Sequence, residues 1–478
     1  MSTRLLVVLV GLAAVVWSVQ KWRLAVQVGM LLVIFEGAIR KWLLPGSQDL
    51  VYFAKDAFFL GAYIGFFRDR SRLRLYSPPA PGLYAGLTLG AAMGLFEVFN
   101  PQLPNLFLGF LGFKSYFLYV PLLFVVPAVF ASDQALARFL KRYVLLAIPV
   151  GLLTVAQFFS PPGSFLNTYA QPTEVWERTT FGSSEYVRAT GTFSYISGFT
   201  SYLLASTLLL LMILTTTRWR FRGNLPVYAA LGMTVLSMLM SGSRGPIFML
   251  ALLFPLYWWL AVVREKQSGR TFVRLLLGVG LLVAGLRTAG EEAFTAFSQR
   301  ASGSQSDVIG RLATPFVAPF YVLPYTGALG YGIGATHQAA SAVTKGIVPY
   351  SWLGGIRTEA ESGRVMLELG PLGFFLVYSV RMILVFFTFG QVLRLRTVFH
   401  RAVAISALLF LLVQIPGGVI FEVTAGVYYW FLAGLVFLVV RLDREAVLAQ
   451  AAAARRSAAR APQMITPVGA PASLRSGR

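Results

Sequence analysis

Four arginines provide the clearest chemical signal in this sequence: Arg188, Arg244, Arg311 and Arg364. Arg244 lies in the turn 241–246, Ser-Gly-Ser-Arg-Gly-Pro, whose proline suits the first turn of a helix starting there. Arg188 likewise precedes an apolar run. Glycines allow close backbone approach to a ligand, and the free N–H groups of a helix start combine with a guanidinium to bind phosphate. Together these residues predict an anion site, although any one of them alone could be an interfacial anchor.

A second group of charged residues lies inside apolar runs, where a charge is costly and faces protein or water rather than lipid. Glu36 and Arg40 are four residues apart, so they can pair on one helix. Lys41, Lys55 and Asp56 follow them closely. Two compatible interpretations stay open. The charges form an ion-pair network that fixes the packing of the first three helices, or they support or line a polar cavity open to the outside.

Several kinds of chemistry are excluded by composition. The chain has no Cys and two His, so disulfides, thiolate metal sites and a histidine-rich metal centre are excluded, and no metal or other cofactor is expected. Walker and Rossmann glycine patterns do not occur, and neither do aromatic-interleaved basic motifs for bases. We therefore expect no nucleic-acid partner.

The elements that must position these residues are membrane helices. Of the 478 residues, 56% are hydrophobic, and about thirteen apolar runs have the length that crosses a bilayer as a helix. Strands of a membrane barrel would be about ten residues long, so helices are favoured. The sequence predicts an all-α polytopic integral membrane protein with about thirteen transmembrane helices. Its first run is expected to be a retained helix, because no small-residue cleavage site follows it.

The charge distribution predicts which face of the membrane each gap occupies. Lys and Arg outnumber Asp and Glu by 41 to 19, and nearly all of the excess lies in every second gap. Such alternation is the positive-inside pattern of a multi-pass protein of the bacterial inner membrane. The basic gaps are then cytoplasmic, and the four arginines lie on the outer, periplasmic face.

The predicted spans divide the chain into four parts. Residues 1–289 hold ten spans with an outer loop at 159–192, and residues 290–370 form a long periplasmic loop between the tenth and eleventh spans. Residues 371–441 hold three further spans, and a basic, disordered cytoplasmic tail occupies 442–478. Within the long loop, the apolar stretch Pro315–Pro324 predicts a helix on or in the outer leaflet. A loop of this length usually carries function.

An anion site on the outer face, approached from the membrane, points to a lipid-linked phosphate or diphosphate. Three segments then resemble the O-antigen ligase/polymerase superfamily: Ser241–Gly245 at a helix start, Arg188–Phe193 before a span, and the late outer loop. That loop contains the Gly330–Gly334 run and closes with Leu367–Phe374. Their order and sidedness match that superfamily over about residues 180–390.

The resemblance implies a metal-independent membrane glycosyltransferase of GT-C type, acting on polyprenyl-diphosphate-linked oligosaccharides as donor and acceptor at the periplasmic face. Ligases of the superfamily carry a His-Asn pair some nine residues before the Glu of a Glu-x-Gly motif. Here that position, counted back from Glu368, holds Glu359, and His337 is too far upstream to replace the pair. The chain is therefore more similar to the polymerases, with a carboxylate at the corresponding place.

The roles that follow are expectations. Arg188, Arg244, Arg311 and Arg364 would face the diphosphate, and Glu361 or Glu359 would accept the proton of the attacking hydroxyl. Glu361 could instead form a local ion pair with Arg357 or Arg364. Supporting roles fall to Glu36, Arg40, Asp56, His337 and Glu368.

Two alternatives to a polymerase remain. One is an O-antigen ligase-type transferase, and the other is a non-enzymatic flippase or exporter of lipid-linked sugars. A flippase would spread its functional charges through the depth of the bilayer and would need no long one-sided loop. A chain-length regulator is a further possible partner, besides the lipid bilayer itself.

Overall fold

The computed structural model describes residues 3–69, 80–169, 186–216, 221–262, 305–344, 351–356 and 358–460. Within these ranges the chain is helical and contains no strand. The helices of the first half are α1 (Thr3–Gln20), α2 (Trp22–Ala38), α3 (Gln48–Val51), α4 (Ala54–Arg68), α5 (Pro81–Glu97), α6 (Leu106–Phe117), α7 (Leu122–Val129), α8 (Asp133–Leu145) and α9 (Ala147–Phe158).

The second half of the chain continues the same pattern. Its helices are α10 (Ile196–Thr216), α11 (Phe221–Met240), α12 (Arg244–Val262), α13 (Gln305–Val322), α14 (Ala340–Val343), α15 (Glu361–Arg394), α16 (Val398–Val413) and α17 (Val423–Arg460). Short 3₁₀ turns occupy Pro45–Ser47, Phe165–Asn167, Leu323–Tyr325 and Ser351–Leu353.

The structure confirms a multi-pass helical membrane protein, although it supports fewer spans than the sequence predicts. Seven segments within the described residues are long and apolar enough to cross a bilayer, or eight if the bent pair α6 and α7 forms one span. Helices α1, α11 and α16 are apolar but shorter. The predicted tenth span, 271–289, lies outside the described residues. Thirteen spans are therefore not established.

The core lies between α10, α16 and α17. In the apolar stretches of α10 and α17, 78% and 83% of the residues are buried within the protein, against 22% in α12. A helix that is apolar on all sides and enclosed by others belongs to the interior, whereas α12 faces outward. Small residues allow close packing elsewhere: Gly61 and Gly65 of α4 lie directly against the backbone of α1, as in GxxxG contacts.

Helices reach beyond two of the predicted boundaries. Helix α15 starts at Glu361, inside the predicted loop 290–370, and Gly370 interrupts it with a φ of 62°. With a φ of 62° and a ψ of −172° this glycine is not helical, so α15 consists of two helices joined by a kink, and the second begins at Pro371, where the span is predicted to begin. At the other end of the chain, α17 continues through Arg460 into the predicted disordered tail, because its alanines and arginines favour helix.

The apolar stretch at Pro315–Pro324 is helical, as predicted. It forms the second half of α13 and the turn Leu323–Tyr325. One face of it packs on α15 through Ala318 and Val322. The opposite face leaves Phe316, Val317, Phe320 and Tyr321 at least 58% exposed. This helix therefore presents a large apolar surface away from the core, which suits contact with lipid.

Candidate functional site

A cavity of about 760 Å³ collects the charged residues that the sequence places near one end of the membrane helices. Its wall combines the end of α2, the start of α4, one side of α6, and the segments 193–198, 337–343 and 421–424. These segments are separated by up to several hundred residues in sequence. The polar and charged side chains on the wall are Glu36, Arg40, Asp49, Tyr52, Lys55, Lys114, Ser194, Tyr195, Ser197, His337, Gln338, Glu422 and Thr424.

The first ion pair in this wall centres on Glu36. Lys55 Nζ lies 2.5 Å from Glu36 Oε2, and Lys55 also donates to the Tyr52 carbonyl at 2.9 Å. Arg40 Nη1 is farther away, 3.9 Å from Glu36 Oε1. The predicted Glu36–Arg40 pairing thus exists, but Lys55 is the closer partner of the carboxylate.

A second ion pair lies beside the first. Lys114 Nζ is 2.7 Å from Asp56 Oδ2, and the Tyr119 hydroxyl donates to Asp56 Oδ1 at 2.6 Å. Lys114 comes from α6, outside the first three helices. The ion pairs that join these helices thus also contribute to the cavity wall, so the two interpretations are compatible, while the opening of the cavity to the outside stays a prediction.

The end of α2 has an unusual backbone. Residues Ile39–Leu43 wind as a π-helix, a rare geometry that is frequent at functional sites. This turn carries two consecutive buried cations. Arg40 Nη1 donates to Ser194 Oγ at 3.1 Å, while Lys41 Nζ donates to the Gly191 carbonyl at 2.8 Å and to Thr190 Oγ1 at 3.2 Å.

The two arginine motifs of the sequence lie on neighbouring segments. The Ala189 N–H donates to the Met240 carbonyl at 3.2 Å, which joins the stretch after Arg188 to the turn before Arg244. The turn is as predicted: Gly242 has a φ of 62°, and Arg244 is the first residue of α12. Neither arginine lines the cavity, but the stretch that starts at Arg188 leads within six residues to Ser194 on its wall.

Arg364 and Glu368 both bind the same residue next to the cavity. Arg364 donates to the Thr336 hydroxyl at 3.0 Å and to the Thr336 carbonyl at 2.6 Å. Glu368 Oε1 accepts from the Thr336 N–H and hydroxyl at 2.8 and 2.6 Å. The guanidinium also lies 3.5 Å from the centre of the Phe421 ring, which is part of the wall. The hydrogen bonds of Arg364 and Glu368 with Thr336, called the Thr336 clasp below, tie the loop to α15. Arg364 does not line the cavity itself but packs against the Phe421 ring that does.

His337 follows this clasp and lies on the wall itself. Its Nδ1 accepts from the Ala339 N–H at 3.0 Å. Burial lowers its pKa to about 4, and the nearby charges of Lys114 and Arg364 act in the same direction. The ring is therefore neutral at pH 7 with its proton on Nε2, which makes it a hydrogen-bond donor rather than a base.

The structure places Glu361 outside the cavity wall. One oxygen pairs with Arg381 Nη2 at 2.5 Å, and the other accepts from the Ile420 and Phe421 N–H groups at 2.7 and 3.2 Å. The local ion pair expected with Arg364 is not formed, because Arg364 binds Thr336; the partner of Glu361 is Arg381, twenty residues later on α15. This carboxylate holds the segment that leads into the wall at Phe421 and Glu422.

Of the remaining predicted site residues, Glu359 does not line the cavity. Glu359 is exposed. The side chain of Arg311 and the whole of Arg357 lie outside the described residues. Sequence reasoning missed two functional neighbours, Lys114 and Arg381. Each is a lone charge in an apolar run, a signal that was available for both.

No family model matches this sequence, and no curated protein is significantly similar to it. The superfamily resemblance therefore rests on the residues quoted above. In the part of the chain that the structure describes, no three His, Asp or Glu side chains come together as a metal site would require.

Proposed function

We propose that this protein is a membrane glycosyltransferase of the polymerase type, which joins polyprenyl-diphosphate-linked oligosaccharide repeats at the periplasmic face for surface polysaccharide or exopolysaccharide assembly. One observation carries the proposal. The segment that follows Arg188, the long late loop and the charged ends of the first helices all contribute to one cavity. Two of these segments are the ones that resemble the superfamily, and the third was selected only for its buried charges.

The composition of the wall suits such a substrate. Apolar side chains such as Val33, Phe53, Phe107 and Leu111 lie beside the ion pairs. An amphipathic donor needs this combination, because its diphosphate requires cations while its prenyl chain stays in the membrane. A volume of about 760 Å³ falls in the range typical of ligand pockets and is large enough for a headgroup with a sugar.

The reaction transfers a glycosyl group between two oxygens. The acceptor hydroxyl oxygen forms a bond to the anomeric carbon of the donor, the bond from that carbon to the diphosphate oxygen breaks, and the hydroxyl proton passes to a base. Cationic side chains stabilise the charge that develops on the leaving diphosphate. The proposal keeps a carboxylate as the base, and Glu422 now suits that role better than Glu361, because it lies on the wall.

A gel of lipid-linked and polymeric glycans tests the proposal. Cells that lack the protein should accumulate single repeats on the lipid carrier, and expression of the wild-type chain should restore the polymer ladder. Glu422→Gln should fail to restore it, while Glu445→Gln, at a side chain of α17 that is 54% exposed, serves as the matched control.

Other outcomes identify the alternatives. Polymer that reaches full length but stays on its lipid carrier would make the protein a ligase. Single repeats trapped on the cytoplasmic face would make it a flippase or exporter. An unchanged glycan profile would refute all three functions.

A further inference from the structure

The under-paired guanidinium of Arg40 is the most unusual group on the cavity wall. Arg40 is 7% exposed, and its Nε is buried without a hydrogen-bond partner in the part of the chain that the structure describes. Its one hydrogen bond there runs from Nη1 to Ser194 Oγ. A guanidinium carries five N–H donors, so most of its capacity is unused.

The nearest carboxylate does not neutralise this arginine. Glu36 lies 2.5 Å from Lys55 and 3.9 Å from Arg40, so Lys55 is its main partner. Asp56 is held by Lys114 and the Tyr119 hydroxyl. Lys55 and Lys114 are therefore the close partners of the two carboxylates, and Arg40 keeps only its long contact with Glu36.

Lys41 is a second buried cation next to Arg40. It is 2% exposed and has no carboxylate within ion-pair distance among the residues described, so its charge is met only by the Gly191 carbonyl, the Thr190 hydroxyl and the ring of Trp42. Burying an unpaired charge costs several kcal/mol in general. Two buried cations in succession on a π-helical turn, one with only a long contact to a carboxylate and one with none among the described residues, are an expensive arrangement, which a bound anion would offset.

The packing of α2 on the segment 192–194 keeps this arrangement in place. A Cβ on Gly37 would collide with the backbone of Thr192 and Ser194, so the segment lies directly on the helix. Lys41 holds the same segment from the other side through Gly191. Ser194 is thereby fixed beside Arg40, and both face the cavity.

The wall also contains negative groups. Glu422 accepts from the Thr424 and Ala425 N–H groups at the start of α17, so its charge is met by a helix N-terminus. Asp49 is exposed near the end of the π-helical turn. The unmatched positive charge is thus local, at Arg40 and Lys41.

We infer that Arg40, with Ser194, forms a binding site for the diphosphate of a membrane-anchored lipid, and that Lys41 positions this site from behind. The inference rests on the proposed function for the identity of the lipid. It assigns the leaving diphosphate to the π-helical turn of α2, separate from the turns that carry Arg188 and Arg244.

A binding measurement on the full-length protein tests this site. The protein is placed in phosphatidylcholine nanodiscs and titrated with inorganic diphosphate, with a long-chain polyprenyl diphosphate, or with added phosphatidylglycerol. Arg40→Ala should weaken the binding of the polyprenyl diphosphate more than about ten-fold, since charge-assisted hydrogen bonds contribute about 1.5–3 kcal/mol each. The affinity of Arg40→Lys should fall between those of wild type and Arg40→Ala, because lysine keeps the charge but lacks the planar set of N–H donors of a guanidinium. Arg23→Ala, at the opposite end of the same helix, is the matched control and should leave binding unchanged.

The three titrations show whether the site binds a free diphosphate, a lipid-linked diphosphate or the phosphate of an ordinary membrane lipid. Arg40-dependent binding of inorganic diphosphate as well would show that the headgroup alone is sufficient, and binding of the polyprenyl form alone would show that the lipid is needed. Binding that Arg40→Ala leaves intact, or a preference for phosphatidylglycerol over the diphosphates, would overturn the inference. If Arg40→Ala does not fold, Arg40→Lys decides the result.

Comparing diphosphate binding with polymer formation tests the site and the proposed function separately. Arg40-dependent diphosphate binding in a protein that forms no polymer would leave the site standing and refute the polymerase. Polymer formation that is unaffected by Arg40→Ala would leave the polymerase standing and refute the site. Lys41→Met should lower affinity for the diphosphate and change the temperature of unfolding, as a positioning residue does, and Arg40→Lys should change affinity alone.

Discussion

The buried pair of Glu361 and Arg381 allows a quantitative test of the fold that positions the cavity. Both side chains are 4% exposed. Removing one partner of a buried ion pair leaves the other charge without compensation, which costs about 3–5 kcal/mol. Arg381→Met should be at the lower end, about 3 kcal/mol, because Glu361 keeps the N–H groups of Ile420 and Phe421.

Glu361→Gln should lower the free energy of unfolding by more, about 4 kcal/mol, because it leaves the buried guanidinium of Arg381 without its carboxylate. Arg381 also donates from Nη1 to the Gln414 carbonyl, at the long distance of 3.4 Å. The double variant Glu361→Gln/Arg381→Met removes both charges and keeps an acceptor for the two backbone N–H groups. Its cost should be below the sum of the single costs by at least about 2 kcal/mol.

The assay is reversible unfolding of the purified protein in mixed micelles with increasing mole fraction of SDS, which gives the free energy of unfolding for each variant. Glu445→Gln is the control, because Glu445 pairs with Arg441 at 3.0 Å but its side chain is 54% exposed. An exposed pair should contribute less than about 0.5 kcal/mol. Additive single and double variants, or a cost of Arg381→Met as small as that of the control, would refute the reasoning.

Three further predictions concern the loop that closes the cavity. Because the pKa of His337 is about 4 in the folded protein and 6.5 in the unfolded chain, the unfolded chain takes up its proton first as pH falls. Stability should therefore drop from pH 6.5 towards 4, and His337→Gln should flatten this part of a profile of unfolding temperature against pH; an equally steep profile in the variant would contradict it. Gly112→Ala should lower the free energy of unfolding by more than about 2 kcal/mol in the SDS titration, since the added Cβ would collide with the backbone of the loop. Gly310→Ala is the control and should be neutral in the same titration, because a Cβ at that position has no atom within 4 Å. Thr336→Val should cost about 1–3 kcal/mol in that titration, because it removes the hydroxyl that donates to the buried Glu368; no loss would mean that the clasp is not formed.

Several features of the fold followed from local patterns in the sequence. Long apolar runs predict membrane helices, because a bilayer satisfies no backbone hydrogen bonds and the chain must satisfy its own. The turn before Arg244 was readable from its glycines and its proline, and the helix at Pro315–Pro324 from its apolar character. The charges at Glu36, Arg40 and Asp56 also marked a polar region correctly, since charge within an apolar run must face protein or water.

The end points of elements were less predictable. The helix that starts at Glu361 precedes the span and is separated from it by the non-helical residue Gly370, so the apolar run that predicted the span did not show this first helix. The number of spans was also beyond the sequence. A run of apolar residues predicts burial, but it does not distinguish a full span from a shorter helix enclosed by others.

The choice of partners was decided by the tertiary structure alone. Lys55 rather than Arg40 became the close partner of Glu36, and Glu361 paired with Arg381 instead of facing a substrate. Both outcomes depend on which helices are neighbours, and this is fixed by packing among residues far apart in sequence. The sequence determined which residues must avoid lipid, because the free-energy cost of placing a charge in lipid depends on that residue alone. Only the assembled helices determined which cation lies closest to each carboxylate, because that depends on the whole cluster.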